Sequence, residues 1–383
     1  MEKFTVNISE KEIADLKERL AKTRFAPLPE SKDFKEGTDP HYLKNICEYW
    51  QSSYDWKKYE AEINKLEHFT EEINGETIHF ILVEVKSTKN LPLLLIHGWP
   101  DSFLRFQKLI PLLTEPDENG NAFSLVIPSI PGFGFSTNKN ENSPVKIAAI
   151  FNELMQKVLK HDKYLVQGGD WGSTIGEKLA QYHGDNIPAM FLTDVTFLHS
   201  MEEPKDPSAA EKIFIKKIQL WQQTEGAYAM IQSTKPNSLA PALNDSPAGL
   251  AAWILEKFKF WTDDFEDKIS KDEFLTNVSL YWFTQTAGSS ARLYLNTIQD
   301  SMNDKYNPLQ KINPFNHSDA KVKVPTGFTF FPKDMAHPPR EFAERFYNVV
   351  YWNEASEGGH FPAMEVPAIL NKEMRKFFEK FGN

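Results

Sequence analysis

The chain has 383 residues, 41% of them hydrophobic, and a formal charge of −10 from 53 acidic and 43 basic side chains. That balance excludes a surface built to neutralise phosphates, so nucleic acid is not an expected partner. A single cysteine, Cys47, excludes an internal disulfide framework and any metal site made of several thiolates. Aromatic side chains reach 13%, a surplus that serves either a large core or an apolar pocket, and composition does not separate the two.

Met1 to Val6 is charged and mixed, without a secretory pattern. The longest apolar runs, such as Leu91 to Ile96, fall far short of the roughly 18–20 residues that span a bilayer. A soluble, cytoplasmic chain with no membrane anchor is therefore expected. Ser9 and Glu12 form a capping box ahead of Ile13, Leu16 and Leu20, which recur at helical spacing. They predict a short helix whose apolar stripe docks on another part of the molecule. Residues 26–60, rich in Pro, Tyr and Trp, read as a meandering arm on a larger body. Asn74-Gly75, between the runs 69–73 and 76–83, is a two-residue hairpin turn.

From there short apolar runs alternate with helical patterns. Strands are predicted at 91–96, 124–130, 163–166, 190–195, 326–331 and 348–352, and helices at 147–161 and 174–183. Continuous apolar strands separated by helices indicate a mostly parallel sheet covered on both faces, an α/β fold. The rhythm stops near His199. Residues 200–312 carry helical patterns, for example 208–223 and 248–260, and the βα alternation resumes at Val322. A helical block inserted in a parallel sheet reads as a cap over the C-terminal strand edge, where such sheets bind ligands. The expected organisation is 1–88 arm and hairpin, 89–199 first part of the core, 200–312 cap, and 313–383 second part of the core.

The segment Tyr164 to Ser173 runs from a strand through Gly168-Gly169-Asp170-Trp171-Gly172 into a helix. Glycines two before and two after a central residue permit a tight strand-to-helix turn that exposes its side chain. The pattern resembles the nucleophile elbow of α/β-hydrolases with Asp in the usual Ser position. The helix start behind it favours an ionised carboxylate. On these five residues alone, Asp170 as nucleophile and Asp170 as a plain helix cap both stand. His97-Gly98-Trp99-Pro100 follows the first strong strand, 73 residues before Asp170. In an α/β-hydrolase this loop donates one oxyanion-hole amide and the residue after the nucleophile the other, here the backbone N–H groups of Trp99 and Trp171. The base comes last in such chains, and Gly358-Gly359-His360 follows the last strand. Its orienting acid belongs after the preceding strand, where Asp334 stands. His337 lies in a Pro-rich turn and reads as structural.

Together the elbow, His-Gly-Trp-Pro, Gly-Gly-His and the arm resemble the epoxide hydrolase family in its microsomal and juvenile-hormone branch. The resemblance covers nearly the whole chain. In the arm it rests on Tyr49-Trp50, Asp55-Trp56, Asn64 and His68-Phe69, and in the inserted block on 228–236, 245–254 and 286–294. It implies two ring-opening tyrosines at Tyr228 and Tyr294 and a charge-relay acid at Asp334. The chain departs from the family in having Asp101-Ser102 where members often have Gly-Ser. That carboxylate either alters pocket polarity or faces solvent. Asp334 replaces the Glu of many relatives, and the membrane anchor of microsomal members is not expected here.

An epoxide carbon is a saturated electrophile. A serine nucleophile would leave an ether that no ordinary base could hydrolyse, whereas a carboxylate leaves an ester that activated water can cleave. The resemblance thus implies a hydrolase that converts a small apolar epoxide and water to a vicinal diol, through an ester on Asp170 and water activated by His360 and Asp334. No metal or organic cofactor is required, and a homo-oligomer stays open. Two alternatives stand beside it: a haloalkane dehalogenase, which shares the Asp nucleophile and following Trp, and a non-catalytic protein holding apolar ligands under the cap. A serine esterase is disfavoured, because Ser173 lies three residues beyond the elbow centre.

Overall fold

The computed structural model describes all residues except 29–33, 87–89, 119, 202–203, 303–320, 336 and 382–383. Nine strands form one sheet: β1 (Glu2–Phe4), β2 (Glu67–Ile73), β3 (Glu76–Val83), β4 (Asn90–Ile96), β5 (Ala122–Pro128), β6 (Leu165–Gly168), β7 (Met190–Leu192), β8 (Val322–Phe330) and β9 (Tyr347–Glu354). Their order across the sheet is β1-β2-β3-β5-β4-β6-β7-β8-β9. The pairs from β5 to β9 are parallel, while the hairpin and its neighbours are antiparallel. Leu93 to Ile96 and Leu125 to Ile127 are fully buried, as a sheet covered on both faces demands of its central strands. The α/β architecture is the one the sequence predicts.

Strand ends shift where tertiary contacts outweigh apolar pattern. β6 continues to Gly168 because that residue still pairs with Ile96 and Leu192. β7 stops at Leu192, where the chain turns and Asp194 reaches the backbone of Asp170. The helix expected over 147–161 starts at Pro144 and ends at Glu153, followed by a π turn over Leu154–Val158.

The arm differs more. It is helical from residue 40 onward, in Pro40–Ser52 and Trp56–Ile63. Asp39 caps the first helix on the Tyr42 N–H, with Pro40 in its first turn, and Asp55 caps the second on the Lys57 N–H. These are ordinary start signals that the Pro and aromatic content masked. β1 was not expected, since three residues carry no periodicity and only pairing with β2 makes them a strand. The predicted capping box is present at Ser9 and Glu12.

The arm is held by aromatic side chains on the helix Lys271–Thr284. Trp50 donates its indole N–H to Ser279 at 3.0 Å, the Tyr54 and Thr276 hydroxyls meet at 3.0 Å, and Trp56 packs edge-on against Phe283. Asn64 brackets the Val6 backbone, accepting its N–H at 2.9 Å and donating to its carbonyl at 2.8 Å. The same helix reaches the loop after β4: Asn277 donates to the Pro100 carbonyl and Tyr281 to the Asp101 carbonyl, each at 2.8 Å. The arm therefore supports one wall of the site at one remove.

Between β7 and β8 lie helices from Ala209–Thr224 to Ala287–Met302, with no strand among the described residues. The expected boundaries at 88/89 and 312/313 fall outside the described residues. Also among the described residues, no helix is long and apolar enough to cross a membrane. Trp50 is 1% exposed, and removing its ring leaves a cavity between arm and helix. Trp50→Ala is expected to lose about 3–5 kcal/mol in urea unfolding; a loss below about 1 kcal/mol would show that the arm is not held this way.

Candidate active site

β4 and β6 are neighbours, with Ile96 opposite Gly168, so the loop leaving one meets the turn leaving the other. The approach is tight enough to dictate residue type. A Cβ on Gly172 would lie 2.1 Å from the Ile96 carbonyl oxygen, and one on Gly98 would lie 2.3 Å from Asp170 Oδ1. Asp170 itself has φ +58° and ψ −125°, a conformation that costs a non-glycine residue energy and persists only where the surroundings enforce it. Asp170 precedes the helix Trp171–Tyr182, and its side chain makes no capping hydrogen bond. The plain helix-cap reading is therefore excluded. Its Oδ1 accepts the Trp99 backbone N–H at 2.8 Å. Trp171 opens the helix, so its N–H is among the first-turn donors that lack an intrahelical acceptor.

His360 lies in the loop after β9 and Asp334 just past β8. His360 Nδ1 stands 2.8 Å from Asp334 Oδ1, and Nε2 stands 3.4 Å from Asp170 Oδ2. The imidazole thus bridges two carboxylates. Burial opposes a charge on this ring, yet the Asp334 and Asp170 carboxylates outweigh it and hold the imidazole well above its ordinary pKa. Asp334 is pulled the other way: its burial is outweighed by His360 and by the Met335 N–H at 2.7 Å, and its pKa lies below the usual carboxylate range.

Tyr228, on the helix Ala227–Thr234, and Tyr294, on Ala287–Met302, stand over Asp170. The Tyr228 ring stacks on Trp99 with centroids 5.0 Å apart, and Tyr294 meets Trp171 edge-on at 4.7 Å. The Lys257 ammonium, paired with Glu256 at 2.6 Å, lies over the Tyr228 ring. Burial pushes both phenols well above 10; Asp170 adds to the effect on Tyr228, and Tyr228 with Asp170 on Tyr294. Both side chains are therefore neutral phenols. With Asp170, Trp171, Asp334 and apolar residues such as Phe214, Ile218 and Trp221, they line a cavity of about 310 Å³. Of the seven candidate site residues five line this cavity, and the other two, Trp99 and His360, meet Asp170 at 2.8 and 3.4 Å. His337, read as structural, contacts the Phe331 carbonyl.

Three further features escaped the sequence reading. Asp194, past the end of β7, accepts the Asp170 backbone N–H at 2.6 Å. The rule that selected Asp334, an acid after a strand that follows the elbow, admits Asp194 equally and was the available signal. Glu365 accepts the N–H groups of Phe361 and Asp263 at 2.8 Å, fixing the loop beside His360. Asp101 neither faces solvent nor lines the cavity: it is 1% exposed and paired with the equally buried Arg105 at 2.8 Å.

Burial, together with the nearby Asp334 carboxylate, pushes the Asp194 carboxyl up to about 7. A carboxyl raised on folding stabilises the native state fully below its unfolded pKa of roughly 4, and that contribution is lost as pH rises through about 7. Asp194→Asn keeps an oxygen for the Asp170 N–H and removes the titration. The melting temperature of Asp194→Asn is expected to fall less between pH 4.5 and pH 8 than that of the parent; parallel curves would show that Asp194 does not titrate in this window.

Comparison with known proteins agrees with this arrangement. The family profile described as "Epoxide hydrolase N terminus" matches residues 1–106, and that described as "alpha/beta hydrolase fold" matches residues 92–383. The chain is 38% identical to epoxide hydrolase 1 of Sus scrofa, over 98% of this chain and 87% of that protein. Among solved structures it is similar to the Aspergillus niger epoxide hydrolase, with TM-score 0.86, 31% identity and coverage of 99% and 96%. The juvenile hormone epoxide hydrolase of Bombyx mori superposes with TM-score 0.84, at 31% identity and coverage of 99% and 93%. A carboxylate on a strained elbow, bridged by a histidine and faced by two phenols, thus comes with full-length similarity: the chain belongs to the epoxide hydrolase family, on the α/β-hydrolase fold with the epoxide hydrolase N-terminal region.

Proposed function

We propose that this protein opens an apolar epoxide with water to give a vicinal diol, through a covalent ester on Asp170. The observation that carries the reading is the placement of the Asp170 carboxylate, between His360 at 3.4 Å on one side and two neutral buried phenols on the other. An Asp170 oxygen attacks an epoxide carbon as the ring C–O bond breaks, and Tyr228 and Tyr294 supply a proton to the departing oxygen. The tyrosines also argue against halide as the leaving group, which needs no proton donor.

The charge balance orders the two steps. While Asp170 is ionised it helps to hold a proton on His360, which then cannot act as a base. Ester formation removes that charge, so His360 sheds its proton and restores the one the tyrosines gave up. Neutral His360, oriented by Asp334, takes a proton from water as the water oxygen attacks the Asp170 carbonyl carbon. The oxyanion forms against the N–H groups of Trp99 and Trp171, and such a donor is typically worth about 3–4 kcal/mol. Collapse breaks the bond between the Asp170 carbonyl carbon and the ester oxygen, the departing alkoxide takes the second proton of the attacking water, and the diol leaves with Asp170 ionised and His360 protonated. The helices between β7 and β8 serve as the cap that carries the proton donors and excludes water.

His360→Gln removes the base while leaving the nucleophile and the phenols. Incubated with an epoxide that the parent turns over, it is expected to accumulate a protein species heavier by the mass of the epoxide, seen by intact-protein mass spectrometry and absent in Asp170→Ala. Diol formation by Asp170→Ala at an appreciable fraction of the parent rate would sink the assignment.

A further inference from the structure

We propose that the buried pair Asp101–Arg105 is a positioning device that couples the loop of the oxyanion donor to the loop of the general base, and thereby serves ester hydrolysis. The proposal rests on the reading of Asp170 and His360 given above. Asp101 Oδ1 accepts the Gly98 backbone N–H at 2.9 Å, which sets the peptide next to the Trp99 N–H on Asp170. Asp101 Oδ2 lies 2.8 Å from Arg105 Nη1. The other terminal nitrogen of that guanidinium, Nη2, donates to the His360 carbonyl at 3.1 Å. One planar cation therefore ties the donor loop after β4 to the base loop after β9, two segments far apart in sequence.

The surroundings require both charges. Arg105 is 3% and Asp101 1% exposed, so either alone would be an uncompensated charge in the interior. Burial raises the Asp101 carboxyl; Arg105 opposes that rise and Asp170 adds to it. His360 and the buried Asp194 and Asp334 complete the charged groups of this layer, in which carboxylates outnumber cations. The guanidinium also passes close to the elbow, since a Cβ on Gly169 would lie 3.7 Å from both Arg105 Nη2 and Asp194 Oδ2. Asn277 and Tyr281 hold the Pro100 and Asp101 carbonyls from the opposite side, leaving the position of this loop overdetermined. Neither member of the pair lines the cavity.

The two chemical steps draw on these loops unequally. Ring opening uses the carboxylate and the phenols, which Arg105 does not contact. Hydrolysis uses the base and needs the oxyanion donor at full strength. Rapid-quench single turnover with intact-mass detection reads the two rates separately. Arg105→Met is expected to slow ester hydrolysis at least tenfold and leave the ester visible during turnover, with ring opening changed less than threefold. Arg105→Lys, which keeps the charge, should recover most of the loss. Asp101→Asn/Arg105→Met should be no slower than Arg105→Met, because the two residues act as a unit. Equal slowing of both steps, or parent-like hydrolysis in a variant with a cooperative thermal transition, would overturn the proposal. If His360→Gln fails to hold an ester, the covalent mechanism itself has failed, which is a different outcome. Should Arg105→Met not fold, Asp101→Asn decides: an unchanged ratio of the two rates in that variant would also overturn it.

Discussion

The structure depends on one close approach, that of the turn after β6 to the end of β4. Gly172 packs onto the Ile96 carbonyl with no room for a Cβ, and Gly98 lies equally close to the Asp170 carboxylate. This contact presses the nucleophile candidate into a positive-φ conformation and brings its oxygen to the Trp99 N–H. A strained residue persists only if its neighbours overdetermine it. Here the neighbours are β4 and β6 in register, Asp194 on the Asp170 N–H, and the buried Asp101–Arg105 pair behind the loop. Each side chain of the site can be traced outward from that contact.

Charge is the second organising term. The carboxylates of Asp101, Asp170, Asp194 and Asp334 lie around the Arg105 guanidinium and the His360 imidazole at the C-terminal strand edge. Burial by itself would neutralise most of them, and pairing decides which stay charged. Asp334 is held low by His360, Asp101 is faced by Arg105, and Asp194, buried and close to Asp334, is pushed up to about 7. In the mechanism proposed above, His360 takes its proton from this imbalance and gives it up when Asp170 is esterified, so that the first step prepares the base for the second.

The aromatic surplus divides along structural lines. Around the nucleophile candidate Tyr228 stacks on Trp99, and Tyr294 meets Trp99, Trp171 and Tyr228 edge-on. Trp50, Tyr54 and Trp56 instead fasten the arm to the helix Lys271–Thr284, and that helix in turn holds the Pro100 and Asp101 carbonyls. Composition alone left core and pocket undivided; both uses are present, and the arm supports the site without touching it.

The sequence by itself determined what is local. Glycine spacing around Asp170, strand-end placement of His97 to Pro100, Asp334 and His360, and continuous apolar strands are covalent neighbours whose chemistry acts within a few residues. The mostly parallel sheet and the candidate positions Asp170, His360 and Asp334 were therefore legible. Helix starts at Asp39 and Asp55 were legible too, although Pro and aromatic content masked them. Only the tertiary structure decided what depends on register and burial. β1 is a strand because β2 pairs with it, and β7 ends early because Asp194 must reach the elbow. Asp101 is a buried partner of Arg105 because helix Lys271–Thr284 seals its loop from solvent. Tyr228 and Tyr294, two of twelve tyrosines, were marked only by the family resemblance of their segments; that both stand over one carboxylate is a relation between distant segments that no residue spacing encodes.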